Sequence, residues 1–357
     1  MRYSVLLWLL SCSLCAADRW DLQFFHDVDE EQLRIDAIAF CSPSRGIATG
    51  ILAGSRGDKP AAVVTSNGGR TWTLTQAEEA AHAIYFLDET SGWMVTESGV
   101  WYTDECGRNW RRILKRRGLT NVRFVSRERG WAIGAEMTFL ETSDGGKTWT
   151  RVKTAEKLSD NPDRVSLDAI DFMNPKIGLV LGHLRRTRES KLPLWLDPRP
   201  ESRKEQPQLA FTLETRDGGG NWATNKVSIF GHVSRVRLRK DGSGLALVEF
   251  DEYFEYPAEL YKLDVRSGGQ GRVTRQKDLA FTDILAGPVS FAAGFLPPGR
   301  LRSPVPGKVR ILRSTNLVDW TEDAVDYRAV ATRVSLAESQ GQVWAATDTG
   351  MILKLTH

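Results

Sequence analysis

Thr142-Ser143-Asp144-Gly145-Gly146-Lys147-Thr148-Trp149 is the stretch whose reading decides the fold. It returns as Thr65-Ser66-Asn67-Gly68-Gly69-Arg70-Thr71-Trp72 and as Thr215-Arg216-Asp217-Gly218-Gly219-Gly220-Asn221-Trp222. Residues 103–110 are a weaker copy, with Glu105 and Cys106 where Asp and Gly are expected, and it ends on Trp110. Residues 314–320 are one residue short, with Asn316 for Asp and Trp320 at the end, and Ser267-Gly268-Gly269 is a remnant. Such a turn has a local logic. Glycine supplies the positive φ values of a tight hairpin, and an Asp or Asn side chain accepts N–H bonds from the turn. The tryptophan buries about 150–250 Å² between strands, worth roughly 4–6 kcal/mol at 25 cal/mol/Å². Asn67, Glu105, Asp144, Asp217 and Asn316, with their tryptophans Trp72, Trp110, Trp149, Trp222 and Trp320, are therefore read as structural.

A second repeat runs in phase with the first. An apolar-x-aromatic or apolar-x-aliphatic triplet is followed by Gly six residues after its last member: Phe40 with Gly46, Phe86 with Gly92, Phe124 with Gly130, Phe172 with Gly178 and Leu238 with Gly244. Ile284 with Ser290 and Leu336 with Gln342 are degenerate copies. The anchors lie 38 to 66 residues apart, room for about four short strands per unit. Alternation such as Ile38-Ala39-Phe40 suits a strand with one apolar face, and no stretch keeps a helical period. Seven units of this kind predict an all-β, seven-bladed β-propeller. A repeat architecture also explains how 357 residues form one domain, since each unit packs only on its neighbours.

The ends predict how the ring closes. The last unit runs to Leu355 and stops before any turn tryptophan, whereas Arg19-Trp20-Asp21-Leu22-Gln23-Phe24-Phe25 reads as a strand that begins at the missing one. That segment, with Trp20, is expected to supply the fourth strand of blade seven and so remove open edges.

Residues 1–17 read as a signal peptide and 18–357 as the single propeller domain. Arg2 precedes an apolar run from Val5 to Leu10, too short to span a bilayer as a helix, and Cys15-Ala16-Ala17 offers small residues for cleavage before Asp18. Leu9-Leu10-Ser11-Cys12 also resembles a lipobox, which would leave Cys12 lipidated. Either route exports the chain to the periplasm or beyond, with no transmembrane segment in the mature protein. Cys41 and Cys106 fall in different blades and are expected to stay unpaired, although an oxidising compartment permits a disulfide.

A net charge of +3 gives no electrostatic case for nucleic acid. The five histidines at 26, 82, 183, 232 and 357 have no metal-ligand spacing, and there is no nucleophile elbow or phosphate loop. No metal or other cofactor is called for, and the chain is read as a monomer.

The pairing of Phe86…Gly92-Trp93-Met94-Val95 and Phe124…Gly130-Trp131-Ala132-Ile133 with Ser-Asp-Gly-Gly-x-Thr-Trp turns is similar to the photosystem II stability/assembly-factor-like family, whose turns are called BNR repeats or Asp-boxes. The resemblance implies a non-catalytic, exported propeller scaffold with a protein partner, such as a membrane-protein subunit. The rival is a sialidase-like Asp-box glycosidase or glycan-binding propeller. Leu33-Arg34-Ile35-Asp36 keeps only the Arg-Ile of the sialidase element, at a point where each repeat begins its first strand. No spacing singles out a pair of catalytic carboxylates, so no catalytic residue is assigned.

With strands A to D in each blade, the Asp-boxes sit at the C–D turns, and the B–C loops share the opposite rim. The insertions read at 51–60, 183–208, 250–257 and 295–307 crowd that rim, where a rigid scaffold carries function. The blade-four loop offers Arg185, Arg186, Arg188, Lys191, Trp195 and Arg199, and the blade-five loop offers Tyr253, Phe254 and Tyr256. Tryptophan and arginine are the residue types enriched in binding hot spots.

Overall fold

A computed structural model describes residues 18–55, 57–185, 207–250, 256–297 and 305–356. The leader reading for residues 1–17, and with it Cys12, lies outside them.

Seven antiparallel sheets follow one another along the chain. Their inner strands are Glu31–Phe40, Ala81–Phe86, Leu119–Phe124, Val165–Phe172, His232–Leu238, Ala280–Ala286 and Val334–Ser339. Each touches the inner strands on both sides, and the seventh touches the first, so the sheets close a ring. Two short 3₁₀ turns, Lys153–Lys157 and Pro162–Arg164, interrupt the link from blade three to blade four. The first of them lays Ala155 into the core beside Val152 and Leu158.

The spacing of six residues between anchor and glycine is a register rule. Phe40 pairs with Gly46, Phe86 with Gly92, Phe124 with Gly130, Phe172 with Gly178 and Leu238 with Gly244 across the A–B hairpin. The anchor side chain lies over the bare glycine. A Cβ on Gly46 or Gly130 would come within 2.5 Å of the opposing Phe ring, which is the close approach that glycine permits. The two degenerate copies differ from the expectation. Ile284 faces Ala292 and Leu336 faces Ala345, because the hairpin ladder there runs on to Ala286–Ser290 and Ser339–Gln342. A smaller anchor lets alanine stand where the aromatic anchors demand glycine.

The residue after the glycine meets the next blade's anchor. Trp93 stacks on Phe124 with ring centroids 3.8 Å apart, and Trp131 stacks on Phe172 at 4.5 Å. Trp344 of blade seven stacks on Phe40 of blade one at 3.5 Å, so one contact type serves both propagation and closure. Leu179 with Leu238, Leu245 with Ile284, and Phe291 with Leu336 fill the same place in the later blades. From the other side, the Asp-box tryptophans meet their own anchors edge-on: Trp72 on Phe40 at 5.9 Å and Trp149 on Phe124 at 6.0 Å.

Blade seven closes as the ends imply. Arg19–Phe25 pairs antiparallel with Met351–Thr356, placing Trp20 opposite Leu355, and then runs parallel to Ala324–Val325. Trp20 is fully buried, and its indole N–H donates to Asp323 Oδ2 at 2.9 Å. Arg313 bridges Asp18 and Asp323, tying the entering strand to blade six.

Two expectations are corrected. The insertion read at 51–60 is mostly strand, because Gly46–Gly54 and Lys59–Thr65 leave only 55–58 as a hairpin. Cys41 and Cys106 are joined in a disulfide, with Cα atoms 5.8 Å apart. Belonging to different blades does not separate them. The A–B turn of blade one and the C–D turn of blade two share a face and touch at the blade boundary. Cys106 also takes the first glycine position of its Asp-box at φ 55°, a left-handed conformation that costs an L-residue about 1–2 kcal/mol.

Two stability measurements follow. Trp344→Ala should lower unfolding free energy by about 3–5 kcal/mol, the range for a large aromatic core deletion, in guanidinium titrations followed by tryptophan fluorescence. Cys41→Ser should lower it by up to about 4 kcal/mol, the chain-entropy value for a cross-link spanning 65 residues, and reductant should reproduce the loss in the wild type alone.

Candidate binding surface

The inner strands surround a central channel of about 600 Å³, lined by residues of all seven blades. Near its start, each of the first six inner strands carries a β-bulge, which frees one residue from the ladder: Asp36, His82, Thr120, Asp168, Ser234 and Thr282. All six are polar, and all line the channel near its B–C mouth. Several stitch one blade to the next. His82 Nε2 lies 2.9 Å from Leu119 O, Thr120 Oγ1 donates to Leu167 O at 2.6 Å, and Thr282 Oγ1 donates to Val334 O at 2.9 Å. Burial pushes the His82 pKa down from its ordinary value.

A second ring lies deeper, at the residue before each anchor. Asp171, nearly buried, accepts N–H bonds from its own anchor Phe172 at 2.9 Å and from the next blade's anchor Leu238 at 2.7 Å. Arg123 pairs with it at 2.7 Å and lies over the Tyr85 ring at 4.1 Å, while Tyr85 donates to Phe124 O at 3.1 Å. Asp283 repeats the device, accepting from Ile284 and Leu336 N–H at 2.9 Å each, with Arg235 3.6 Å away. Buried carboxylates survive when hydrogen-bonded and paired in this way.

The widest concentration of polar chemistry at the mouth is on blades four and five. His183 Nδ1 lies 2.7 Å from Asp168, which also accepts from Ser166 at 2.6 Å, and the His183 ring sits 5.0 Å from that of His232. Ser234 donates to Glu249 at 2.6 Å. These groups give the mouth both donors and acceptors, suited to a polar peptide or solute. Among the described residues, no group of three or more His, Cys, Asp or Glu could hold a metal ion. No described helix is long and apolar enough to cross a membrane.

Of the rim residues read from sequence, Arg186, Arg188, Lys191, Trp195, Arg199, Tyr253 and Phe254 lie outside the described residues. Arg185 directly follows the second strand of blade four, Gly178–Leu184, and donates to Asp163 O at 2.8 Å, which fixes the root of the loop beside His183. Tyr256 is met by Arg275 at 4.1 Å from its ring. The bulge and pre-anchor rings were missed at the sequence level. The signal for the pre-anchor ring was the middle letter of the triplets: Tyr85, Arg123, Asp171, Arg237 and Asp283.

The Asp-boxes keep to their turns. Asp144 Oδ1 accepts Thr148 N–H at 2.9 Å and Oδ2 accepts its hydroxyl at 2.6 Å, and Asp217 holds Asn221 likewise. Asn67 and Asn316 accept turn N–H groups in the same manner. Glu105, one methylene longer, instead accepts from the Asn109 side chain at 2.6 Å.

Residues 114–185 match the family described as Photosynthesis system II assembly factor YCF48, a stretch that spans blade three and the inner half of blade four. That stretch is similar to the assembly-factor family. The Arabidopsis thaliana photosystem II stability/assembly factor HCF136 is 38% identical over 66 residues, which span 18% of this chain and 15% of that relative. Two solved propellers cover nearly the whole ring at low identity: YCF48 bound to D1 peptide (15% identity, 95% of each chain, TM-score 0.61) and YCF48 from Cyanidioschyzon merolae (14%, 94% of this chain and 98% of the other, TM-score 0.57). Those likenesses bear out the seven-bladed fold. The family match takes in Arg123 and Asp168 of the channel wall, with their ion-pair partners Asp171 and His183.

Thr148's hydroxyl and N–H hold the Asp144 carboxyl at a pKa of about 2, below the ordinary 3.8. A depressed carboxylate contributes stability above its unfolded pKa, and loses it as pH falls toward the folded value. The melting-temperature advantage of wild type over Asp144→Asn should therefore be full at pH 6 and shrink between pH 4 and pH 2. Asp144→Ala should melt lower than the Asn variant at pH 6, because Asn preserves an acceptor for the Thr148 N–H.

Proposed function

We propose that this protein is a non-catalytic, exported scaffold that holds a segment of a membrane-protein subunit during assembly, using the channel mouth and the B–C rim of blades three to five. The observation that carries the reading is where the family match falls. Residues 114–185 include the Arg123–Asp171 and Asp168–His183 pairs, whose Arg123 and Asp168 line the channel, and they end at the root of the blade-four loop. A propeller of similar fold, YCF48, has been seen bound to D1 peptide, which supports a peptide as the kind of ligand. The disulfide between Cys41 and Cys106 supports export, since such bonds persist in oxidising compartments.

The mouth offers fixed hydrogen-bonding groups on rigid strands, and the sequence that follows Arg185 supplies cations and Trp195, residue types enriched in binding hot spots. In capture experiments from detergent-solubilised membranes of the source organism, wild type should retain a membrane-protein subunit. A variant lacking 186–203 should lose it at unchanged melting temperature. Equal capture by both would remove the rim from the site. Failure of wild type to capture any protein, with binding on a glycan array, would move the function to carbohydrate recognition.

A further inference from the structure

Six blades place a tryptophan beside their anchor. Trp72, Trp110, Trp149, Trp222 and Trp320 come from the Asp-boxes, and Trp20 comes from the N-terminal strand. Blade five has none, and the register shows why. In blade four, Glu214 pairs with Ala223, leaving the eight-residue turn 215–222. In blade five, Asp264 pairs with Gly269, leaving only 265–268, so the turn is four residues shorter and the tryptophan is lost.

The loss coincides with a cleft of about 670 Å³ between blades four and five, within the size range of small-molecule pockets. Its apolar lining includes Leu179, Leu181, Val233, Val248 and Leu263. Two neighbouring positions have shrunk as well. Trp222 of blade four packs against Trp131 and Phe139 of blade three, at 6.1 and 4.9 Å. By register, Leu179 stands in place of Trp131 and Thr212 in place of Phe139. A Cβ built on Gly268 or Gly271 would meet nothing within 4 Å.

The ionised groups of the cleft are matched internally. Glu214 meets Arg216 at 2.6 Å, buried Glu259 meets Arg275 at 3.2 Å and Arg272 at 3.4 Å, and Asp264 accepts N–H bonds from Arg266 and Ser267. A neutral occupant complements such a lining, whereas a charged one would be desolvated without a counter-charge. The fold already contains a precedent in blade seven, where the tryptophan arrives on a distant segment and buries completely.

We propose that the cleft between blades four and five is a binding site for a neutral aromatic side chain, tryptophan above all, presented by an extended segment of another polypeptide. The site is separate from the channel mouth and does not depend on the client assigned there. Its test uses the mature chain and N-acetyl-tryptophanamide, followed by amide chemical shifts. Saturable binding is expected, with shifts centred on Leu179, Leu181 and Thr212, and at least tenfold weaker binding of N-acetyl-alaninamide. Thr212→Trp should weaken binding of the tryptophan amide at least tenfold. A variant carrying the blade-four turn 215–222 in place of 265–268 should do the same, because it brings its own tryptophan. Absence of saturation in wild type, shifts centred elsewhere, or undiminished binding in the folded turn variant would overturn the proposal, whether or not Thr212→Trp folds.

Discussion

An aromatic ring lying flat between a bare glycine and the ring of the preceding blade is the contact on which the rest of the molecule depends. Phe40 shows it whole: Gly46 beneath in the same hairpin, Trp344 stacked at 3.5 Å, and Trp72 edge-on. Offset or edge-on aromatic pairs add about 0.5–1.5 kcal/mol beyond the area they bury. The glycine fixes the hairpin register, because only there can the ring lie so close. The ring fixes the next blade's position, because it is also that neighbour's wall. Where the anchor shrinks to Ile284 or Leu336, the glycine gives way to alanine, and the ladder lengthens around the same apolar contact.

The polar interior follows from this packing. With anchors facing the blade boundaries, the residue before the anchor turns to the channel in five blades, as Tyr85, Arg123, Arg237, Asp283 and Ser335, all hydrogen-bonding groups. Asp171 and Asp283 each collect the N–H of their own anchor and that of the following blade, so a polar contact runs in parallel with the apolar one. The bulges then interrupt the ladder in six of the seven inner strands and present Asp36, His82 and Asp168 at the mouth. Scaffold and surface are consequences of one register. A surface built this way is rigid at its base, because its polar groups stand on paired strands.

Much of the architecture was legible from sequence because its cause is local. Gly145-Gly146 with Asp144 and Trp149 makes its own turn, and Phe124 six residues before Gly130 makes its own hairpin. What escaped was set by neighbours remote in sequence. Cys41 and Cys106 are 65 residues apart and meet because two kinds of turn share a face, which no spacing within one blade reveals. Arg123 and Asp171 stand in separate triplets, and their pairing exists only once the blades stand side by side. Arg185 was legible as the root of a loop, but its bond to Asp163 depends on the 3₁₀ turn that precedes blade four.

The closing strand carries a consequence for the life of the chain before it is folded. Asp21 waits for Thr356, a partner 335 residues downstream, so the first strand made is among the last to be paired. Contacts of such sequence separation slow folding, and until they form the growing ring keeps an open edge on either side. Those edges, and the unburied Trp20, are what a chaperone would have to shield until the ring closes. The assembled ring has the opposite property: pulling on either terminus loads the same sheet, so the molecule resists opening where its chain begins and ends.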